Sequence, residues 1–481
     1  MLTTASRGDV FHLPSDQTSL EFVTVGNAGN AADFTGLGAV DYVYRLGQYD
    51  VTAAQYAAFL NAVAKSDTYG LYDSAMAAGS DCGIQRSGSP GGYTYSVDVL
   101  HANRPVNFTS FGDAARFCNW LANGQPTGSQ DLTTTEDGSY FLNGATDNTL
   151  LKAVTRKPSA RYVLPTQDEW YKAAFHKNDG PTANYWAYPT RSDTAPIAEA
   201  PPGSAAPPGS ANYLSVMGTT HLTDVGAYTT SPGPYGTFDQ GGLLYQWTDS
   251  LMVPSFAGYS GFAMFNSSFL SGSSTQLRSD TRVWPWSPAN QFNFMGFRIA
   301  KVPITSHWQG ITGGTWSTSV NWNHGTPLEA GDTAVIGDLT ASGDSFTVIL
   351  DASQTIGHLV FDLTNCHNYV LTQNPGDIAS SLIFDNGPDA ASISILGTGF
   401  VTIDVPILLA GDLMISADSG AVLTISGSIS DFPSDSAIDG LGGLSSSTID
   451  SDNAAFVPEP SSGVILLASA GLLLRRSRRL S

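Results

Sequence analysis

The chain has 481 residues, 42% hydrophobic and only 13% charged, and its 42 acidic against 21 basic side chains give a formal charge of -21. A length of this order implies two to four domains with at least one sizeable core. Phosphate backbones would repel so acidic a chain, which has no basic cluster before its last seven residues, so nucleic acid is excluded as a partner. Gly at 50 and Pro at 26 exclude wholesale disorder or a collagen-like repeat.

The charge is unevenly spread. No Lys or Arg occurs between Lys301 and Arg475, and residues 305–459 hold 18 carboxylates, nearly all Asp. Residues 1–304 carry 17 basic and 24 acidic side chains, and Arg475, Arg476, Arg478 and Arg479 close the chain. So sharp a change after Lys301 marks a domain boundary. Cys82, Cys118 and Cys366 fit no CxxC spacing, and their odd number gives no complete disulfide framework. A Cys82–Cys118 bridge is one reading. For Cys118, in AARFCNWLA, the ordinary reading is a small buried residue on a helix.

In chain order, Met1–Gly8 lacks the apolar core of a secretory signal peptide. SLEFVTVGNAGN (19–30) alternates like a strand and ends in turn residues. Thr52 is the expected N-cap of a helix with Tyr56, Phe59, Leu60 and Val63 on one face. NRPVNFTSFGDAARFCNWLANG (103–124) reads as a short extended piece and then a helix with Ala114, Phe117, Cys118 and Leu121 inward. ARYVLPTQDEWYKAAFHK (160–177) gives a strand to Leu164, then a helix capped by Thr166 with Glu169 at the capping-box position. Beyond Asn178 the chain is loop-rich until GFRIAKV (296–302), expected as one closing strand. Short elements in long loops indicate an α+β domain.

The segments YDVTAAQYAAFL (49–60), RPVNFTSFGDAARFCNWL (104–121), YVLPTQDEWYKAA (162–174), ANYL (211–214), YGTFDQGGLLYQW (235–247) and MGFRIA (295–300) occur in one order. In that order they resemble the formylglycine-generating enzyme (sulfatase-modifying factor) family. The resemblance implies a C-type-lectin-like fold over residues 18–304. It also implies a copper(I) site of two cysteines that activates oxygen to oxidise a sulfatase cysteine. Matching Gly272-Ser273 to the family's turn puts Gln276 and Thr281 at or near those cysteine positions, and no cysteine occurs in 269–298. Copper(I) needs soft thiolate ligands, so copper is not expected and the domain reads as a binding or structural module rather than an active oxidase. The alternative is an oxidoreductase of the formylglycine-generating type acting on a sulfatase cysteine.

Another branch of the superfamily holds non-haem iron with histidines. His12, His101, His176 and His221 include no close pair, so each reads as a surface or hydrogen-bonding histidine. Calcium is the cofactor the resemblance leaves. One family site is lost because its Asn and Glu have become Leu243 and Gln246. The other falls at Asn212 and the Tyr213 carbonyl, with Asp224 as a further ligand; the ordinary reading is that Asn212 caps a turn. Trp284, Trp286, Tyr259 and Phe262 flank the place where the family binds substrate peptide. They read either as a rim for a peptide or glycan ligand or as core of a loop-rich domain.

Residues 305–432 are expected to be all-β. HWQGITGGTWSTSVNWNHG carries three tryptophans. Short apolar runs follow at 346–350, 356–362, 368–372, 381–385, 391–396, 400–404, 412–416 and 421–429. The runs resemble autotransporter-type repeats, which implies a short parallel β-helix; a sandwich is the other reading. Residues 433–456 are a Gly/Ser/Asp linker. In 457–481, Pro458-Glu459-Pro460 precedes the apolar run 463–474 and the four arginines, which would stay on the cytoplasmic side. This order resembles the PEP-CTERM sorting signal of Gram-negative bacteria. It implies a short apolar helix as membrane anchor, an exosortase-type processing partner, and a place in the cell envelope or outside it. An exported chain also needs an entry signal, so the true start is expected upstream.

Overall fold

The helices of the first 302 residues start at polar caps. Thr52 caps α1 (Ala53–Val63): its hydroxyl accepts from Gln55 N, and the Gln55 side chain accepts from the Thr52 amide. Ser110 and Asp113 repeat this reciprocal box at α2 (Phe111–Ala122). Asp147 caps the short α3 (Asn148–Lys152), and Thr166 with Glu169 boxes α4 (Gln167–Phe175). Each box satisfies two amides that a helix start leaves without an internal partner. Ala114, Phe117, Cys118 and Leu121 of α2 are buried. Phe117 meets Phe59 of α1 edge to face, with ring centroids 5.3 Å apart.

The computed structural model describes residues 20–204, 207–252, 260–265, 267–281, 283–310, 313–337, 345–364, 368–376, 379–432 and 472–474. Tyr259, Cys366, Pro458, Glu459 and Pro460 lie outside them, as does the 433–456 linker. The chain divides into two units, Met1–Val302 and Pro303–Ser481.

The first unit's strands are β1 (Phe22–Val25), β2 (Tyr44–Gly47), β3 (Ile84–Ser87), β4 (Thr94–Val97), β5 (Tyr162–Val163), β6 (Ile197–Ala198), β7 (Ser210–Ala211), β8 (Tyr245–Met252), β9 (Gly261–Phe265), β10 (Trp284–Trp286), β11 (Met295–Gly296) and β12 (Ala300–Lys301). Two four-stranded sheets carry the architecture, in the orders β1-β2-β12-β5 and β10-β9-β8-β11. The expected closing strand is therefore split. Met295–Gly296 pairs in parallel with β8, while Ala300–Lys301 pairs antiparallel with β2 and β5. Between them Phe297, Arg298 and Ile299 are buried, and Arg298 bonds Gly47 O at 2.9 Å and Phe238 O at 2.7 Å. The backbone crosses from one sheet to the other there.

The second unit is strand after strand: β13 (Thr305–His307), β14 (Gly314–Thr315), β15 (Thr333–Gly337), β16 (Phe346–Leu350), β17 (Gln354–Ile356), β18 (His358–Leu363), β19 (Tyr369–Gln373), β20 (Leu382–Phe384), β21 (Ala391–Gly397), β22 (Gly399–Asp404), β23 (Ile407–Leu409), β24 (Leu413–Ala417), β25 (Ala421–Ile425), β26 (Ile429–Asp431) and β27 (Leu472–Leu474). They form three sheets, β13-β15-β18-β21-β24-β27, β14-β16-β19-β22-β25 and β17-β20-β23-β26. Pairing is parallel in every case but the last strand. Like residues stack in register: Leu359 on Ile393 on Ile415, and Leu371 on Ile403 on Ile425. All six are buried, and their sequence neighbours alternate outward.

Two stretches expected as single strands break at glycines. A Cβ on Gly357 would sit 2.6 Å from Gly331 Cα, and one on Gly427 would sit 1.9 Å from Val405 O. Only glycine lets the chain turn that closely from one sheet to the next. Trp308, Trp316 and Trp322 are buried, and each indole N–H donates to a carbonyl: Gly310, Pro327 and Trp316 respectively. At the chain's end the expected apolar helix is corrected for Leu472–Leu474. These residues are a strand lying antiparallel on β24, whose edge offers unpaired backbone groups.

Candidate functional site

β8, β9 and β10 form one wall of a pocket of about 100 Å3, with Tyr245, Phe265 and Trp286 among its lining residues and Phe175 contributed from the end of α4. The opposite side comes from the segment after Ser273, whose hydroxyl caps a single 3-10 turn by accepting from Thr275 N at 3.2 Å. Gln276, Arg278 and Thr281 of this segment line the pocket. Thr281 Oγ1 donates to Thr275 O, which closes the segment on itself, and Ser279 ties it to its surroundings, with its carbonyl 3.1 Å from Tyr171 OH and its amide donating to Ala187 O at 3.0 Å. Gln276, Thr281 and Trp286 therefore meet in one cleft.

The cleft's polar groups are mostly committed. Arg278 grips Asp280 with two nitrogens, Nε at 2.7 Å and Nη2 at 2.8 Å, and these bonds hold the Asp280 carboxyl below its usual range. Gln240, also in the lining, donates to Trp170 O at 3.3 Å. The exposed Gln276 carboxamide has no hydrogen-bond partner among the described residues.

The other aromatics divide. Phe262 is buried and stacks on Phe111 with centroids 3.8 Å apart, so it is core. Trp284 belongs to β10. Trp286 is half-buried beside Tyr245, Phe292 and Phe294. Neither described cysteine lines the cleft, and the reading of a Cys82–Cys118 bridge is corrected: both are free. Cys118 points into the α2 core, and Cys82 Sγ donates to Met76 O at 3.6 Å. Burial pushes the Cys82 thiol up to about 11 and Cys118 well above its ordinary value, so both stay protonated.

The interior of the first unit also holds a group of charges that sequence reasoning missed. Arg298 is fully buried, with its Nε 2.7 Å from Gln246 Oε1 and its Nη2 3.6 Å from Asp50 Oδ1. Trp170 Nε1 donates to the same Gln246 oxygen at 2.7 Å. Gln246, read from sequence only as a lost calcium ligand, is thus an internal bridge. Neither Asp50 oxygen accepts a hydrogen bond. Burial pushes Asp50 up to about 7, with Arg298 only partly opposing it, and pushes Asp239 up to about 6. Elsewhere Arg156 bonds both Glu169 oxygens at 3.0 Å and Asp249 at 2.8 Å. Burial raises Glu169, but the Arg156 charge together with hydrogen bonds from Arg156, Tyr42 and the Thr166 amide outweighs it and holds the carboxyl below its usual range.

The residues expected around calcium do not all converge. Asn212 is buried, and its Nδ2 donates to His221 O at 3.0 Å. Its Oδ1 has no partner, and the residue lines a cavity of about 10 Å3, room for one water. Asp239 lines that cavity; Asp224 is exposed and does not, nor does Tyr213, whose carbonyl accepts from Val216 N at 3.4 Å. Among the described residues no cluster of three or more His, Cys, Asp or Glu is placed to hold a metal. Of the histidines, His176 takes the hydrogen-bonding rather than the surface role. His176 is buried with Nδ1 2.7 Å from Tyr235 OH, and burial lowers it below the usual histidine value.

A two-sheet α+β unit with this loop-built cleft has the layout of a sulfatase-modifying-factor domain. The chain belongs to the family described as the sulfatase-modifying factor enzyme 1-like domain, whose model matches residues 40–303. Three solved structures are similar to it. CarF is 19% identical, covering 59% of this chain and 98% of its own, with a TM-score of 0.35. Treponema denticola variable protein 1 is 16% identical, covering 59% and 95%, at 0.37. PvdO from Pseudomonas aeruginosa is 16% identical, covering 61% and 96%, at 0.34. No curated protein matches the chain.

Proposed function

We propose that the first unit is a binding module that keeps the family's cleft but not its oxidase chemistry. The observation that carries this is the cleft's lining. Gln276 and Thr281 stand at or near the positions matched to the family's cysteines, and the unit's two thiols are buried elsewhere and protonated. An amide and a hydroxyl are poor ligands for copper(I). The decisive experiment incubates the full chain with copper(I), oxygen and a cysteine-containing sulfatase peptide. No oxygen uptake and no aldehyde product are expected; copper-dependent oxidation would establish the family's oxidoreductase activity instead.

The three parallel sheets with stacked apolar columns support reading the second unit as a short parallel β-helix, a stalk for the first. The motif Pro458-Glu459-Pro460, the apolar run and the arginines support an exported, tail-anchored protein of the cell envelope, processed by an exosortase-type enzyme. Calcium, where the chain retains it, belongs at Asn212 with Asp239 rather than Asp224. The orphaned Asn212 oxygen and a buried carboxyl share one small cavity there. The ion would supply positive charge to that carboxyl and hold the loop around Asn212.

A further inference from the structure

The geometry points to a neutral sugar residue as the ligand of the cleft, an inference that rests on the binding-module reading. Three observations narrow the class. The half-buried rings of Tyr245 and Trp286, backed by the buried Phe175 and Phe265, offer aromatic surface whose negative π-face suits the weakly positive C–H face of a pyranose ring. The uncommitted polar group is a carboxamide, Gln276, which presents an acceptor and two donors side by side. That set matches neighbouring hydroxyls, each both donor and acceptor. Thr281 Oγ1 spends its proton on Thr275 O and keeps its lone pairs for a further hydroxyl.

Charge and backbone weigh against the rivals. Arg278, the one cation among the described lining residues, is already neutralised by two bonds to Asp280, which leaves no free positive group among them to fix a carboxylate or sulfate. Residues 1–304, which contain the cleft, carry 24 acidic against 17 basic side chains, an excess that repels anions. An extended peptide adding itself along β10 meets Pro285, which has no N–H to offer at the centre of that strand. A neutral, hydroxyl-rich ring meets none of these objections.

The test applies neutral monosaccharides and oligosaccharides to the full chain, alongside sulfated sugars and tyrosine-, tryptophan- or cysteine-containing peptides. Saturation-transfer NMR and tryptophan fluorescence read the binding. Saturable binding of a neutral saccharide is expected, weakened roughly tenfold by Trp286→Ala. Gln276→Ala, at an exposed position that folding does not need, weakens it about fivefold. If a peptide or an anionic sugar saturates the cleft and neutral sugars do not, the sugar assignment is overturned while the binding module stands. If a neutral sugar binds and neither substitution changes its affinity, it sits elsewhere and the assignment also fails. Copper-dependent oxidation of the cysteine peptide, with no sugar bound, overturns both.

Discussion

The two units solve the same problem, burying a core, in opposite ways. In the first, short strands and helices are strung between long loops and tied by buried ion pairs, Arg116 to Glu136 and Arg156 to Glu169 and Asp249, with Arg298 buried beside Asp50. Residues 303–474 of the second contain no Lys or Arg, and its core is nearly all aliphatic and aromatic, stacked in columns. A stack needs only that each strand resemble the one before it. A loop-built fold needs particular side chains at particular places, and in return it can open a shaped cleft among the loops. Function is therefore expected where the polar interior is, and reach or spacing where it is not.

The sharpest way to break this contrast is Arg156→Ala. The substitution leaves Glu169 and Asp249 buried without their cation, a change that costs about 3–5 kcal/mol. Denaturant unfolding followed by tryptophan fluorescence should show the first unit's transition moving to lower denaturant while the second's stays in place. Equal movement of both would mean the units do not unfold independently. The converse change is Ile393→Ala, which empties one step of the column between Leu359 and Ile415. A loss of about 2–4 kcal/mol is expected in the second unit. Hydrogen exchange should speed up most in the neighbouring strands β18 and β24, because a stack passes damage to its nearest layers.

The contrast also explains what could be read ahead of the structure. Helix starts at Thr52 and Thr166 were legible because a capping box lies within four residues of chain. The apolar alternation of the second unit was legible too, but its corners were not: Gly357 and Gly427 look like any loop glycine until Gly331 and Val405 are brought against them. The Arg298 group was invisible for a plainer reason. Asp50, Asp239, Gln246 and Arg298 are spread over about 250 residues of sequence, and no spacing rule joins them. Gln246 was judged only as a replacement for a calcium ligand, which gave no hint of its bonds to Arg298 and Trp170. Gln276 and Thr281 could be named only by matching to a family, and Asp239 by nothing at all.

That hidden group makes the first unit's stability depend on pH. Asp50 holds its proton up to about 7 in the fold, and Asp113 and Asp239 hold theirs to about 6. Unfolded, all three lose it near the ordinary carboxylate value of roughly 4. Between those limits the folded state binds more protons, so these groups stabilise it fully below about pH 4 and progressively less as pH rises toward 7. Glu169, held low, acts in the opposite sense, losing its contribution as pH falls. Asp50→Asn should flatten the fall between about pH 4 and 7 by up to ~1.4 kcal/mol per pH unit, one proton's worth. An unchanged slope in denaturation series across that range would show that Asp50 is ionised in the fold.

The smallest expected effect separates a site from mere acidity. Residues 305–459 hold 18 carboxylates, and a cation attracted only by charge would prefer that region. A cation held by geometry would instead choose the first unit, where Asn212 Oδ1 lacks a partner and Asp239 shares its cavity. Calcium at tenfold its dissociation constant should raise the first unit's stability by about 1.4 kcal/mol and leave the second unchanged. Asn212→Ala should abolish the shift, and Asp224→Ala should not, because Asp224 is exposed and outside the cavity. The shift should also shrink below about pH 6, where Asp239 takes up its proton and can no longer face a cation. Stabilisation of the second unit alone would locate calcium on the Asp-rich stack and leave Asn212 as a residue that orders its own turn.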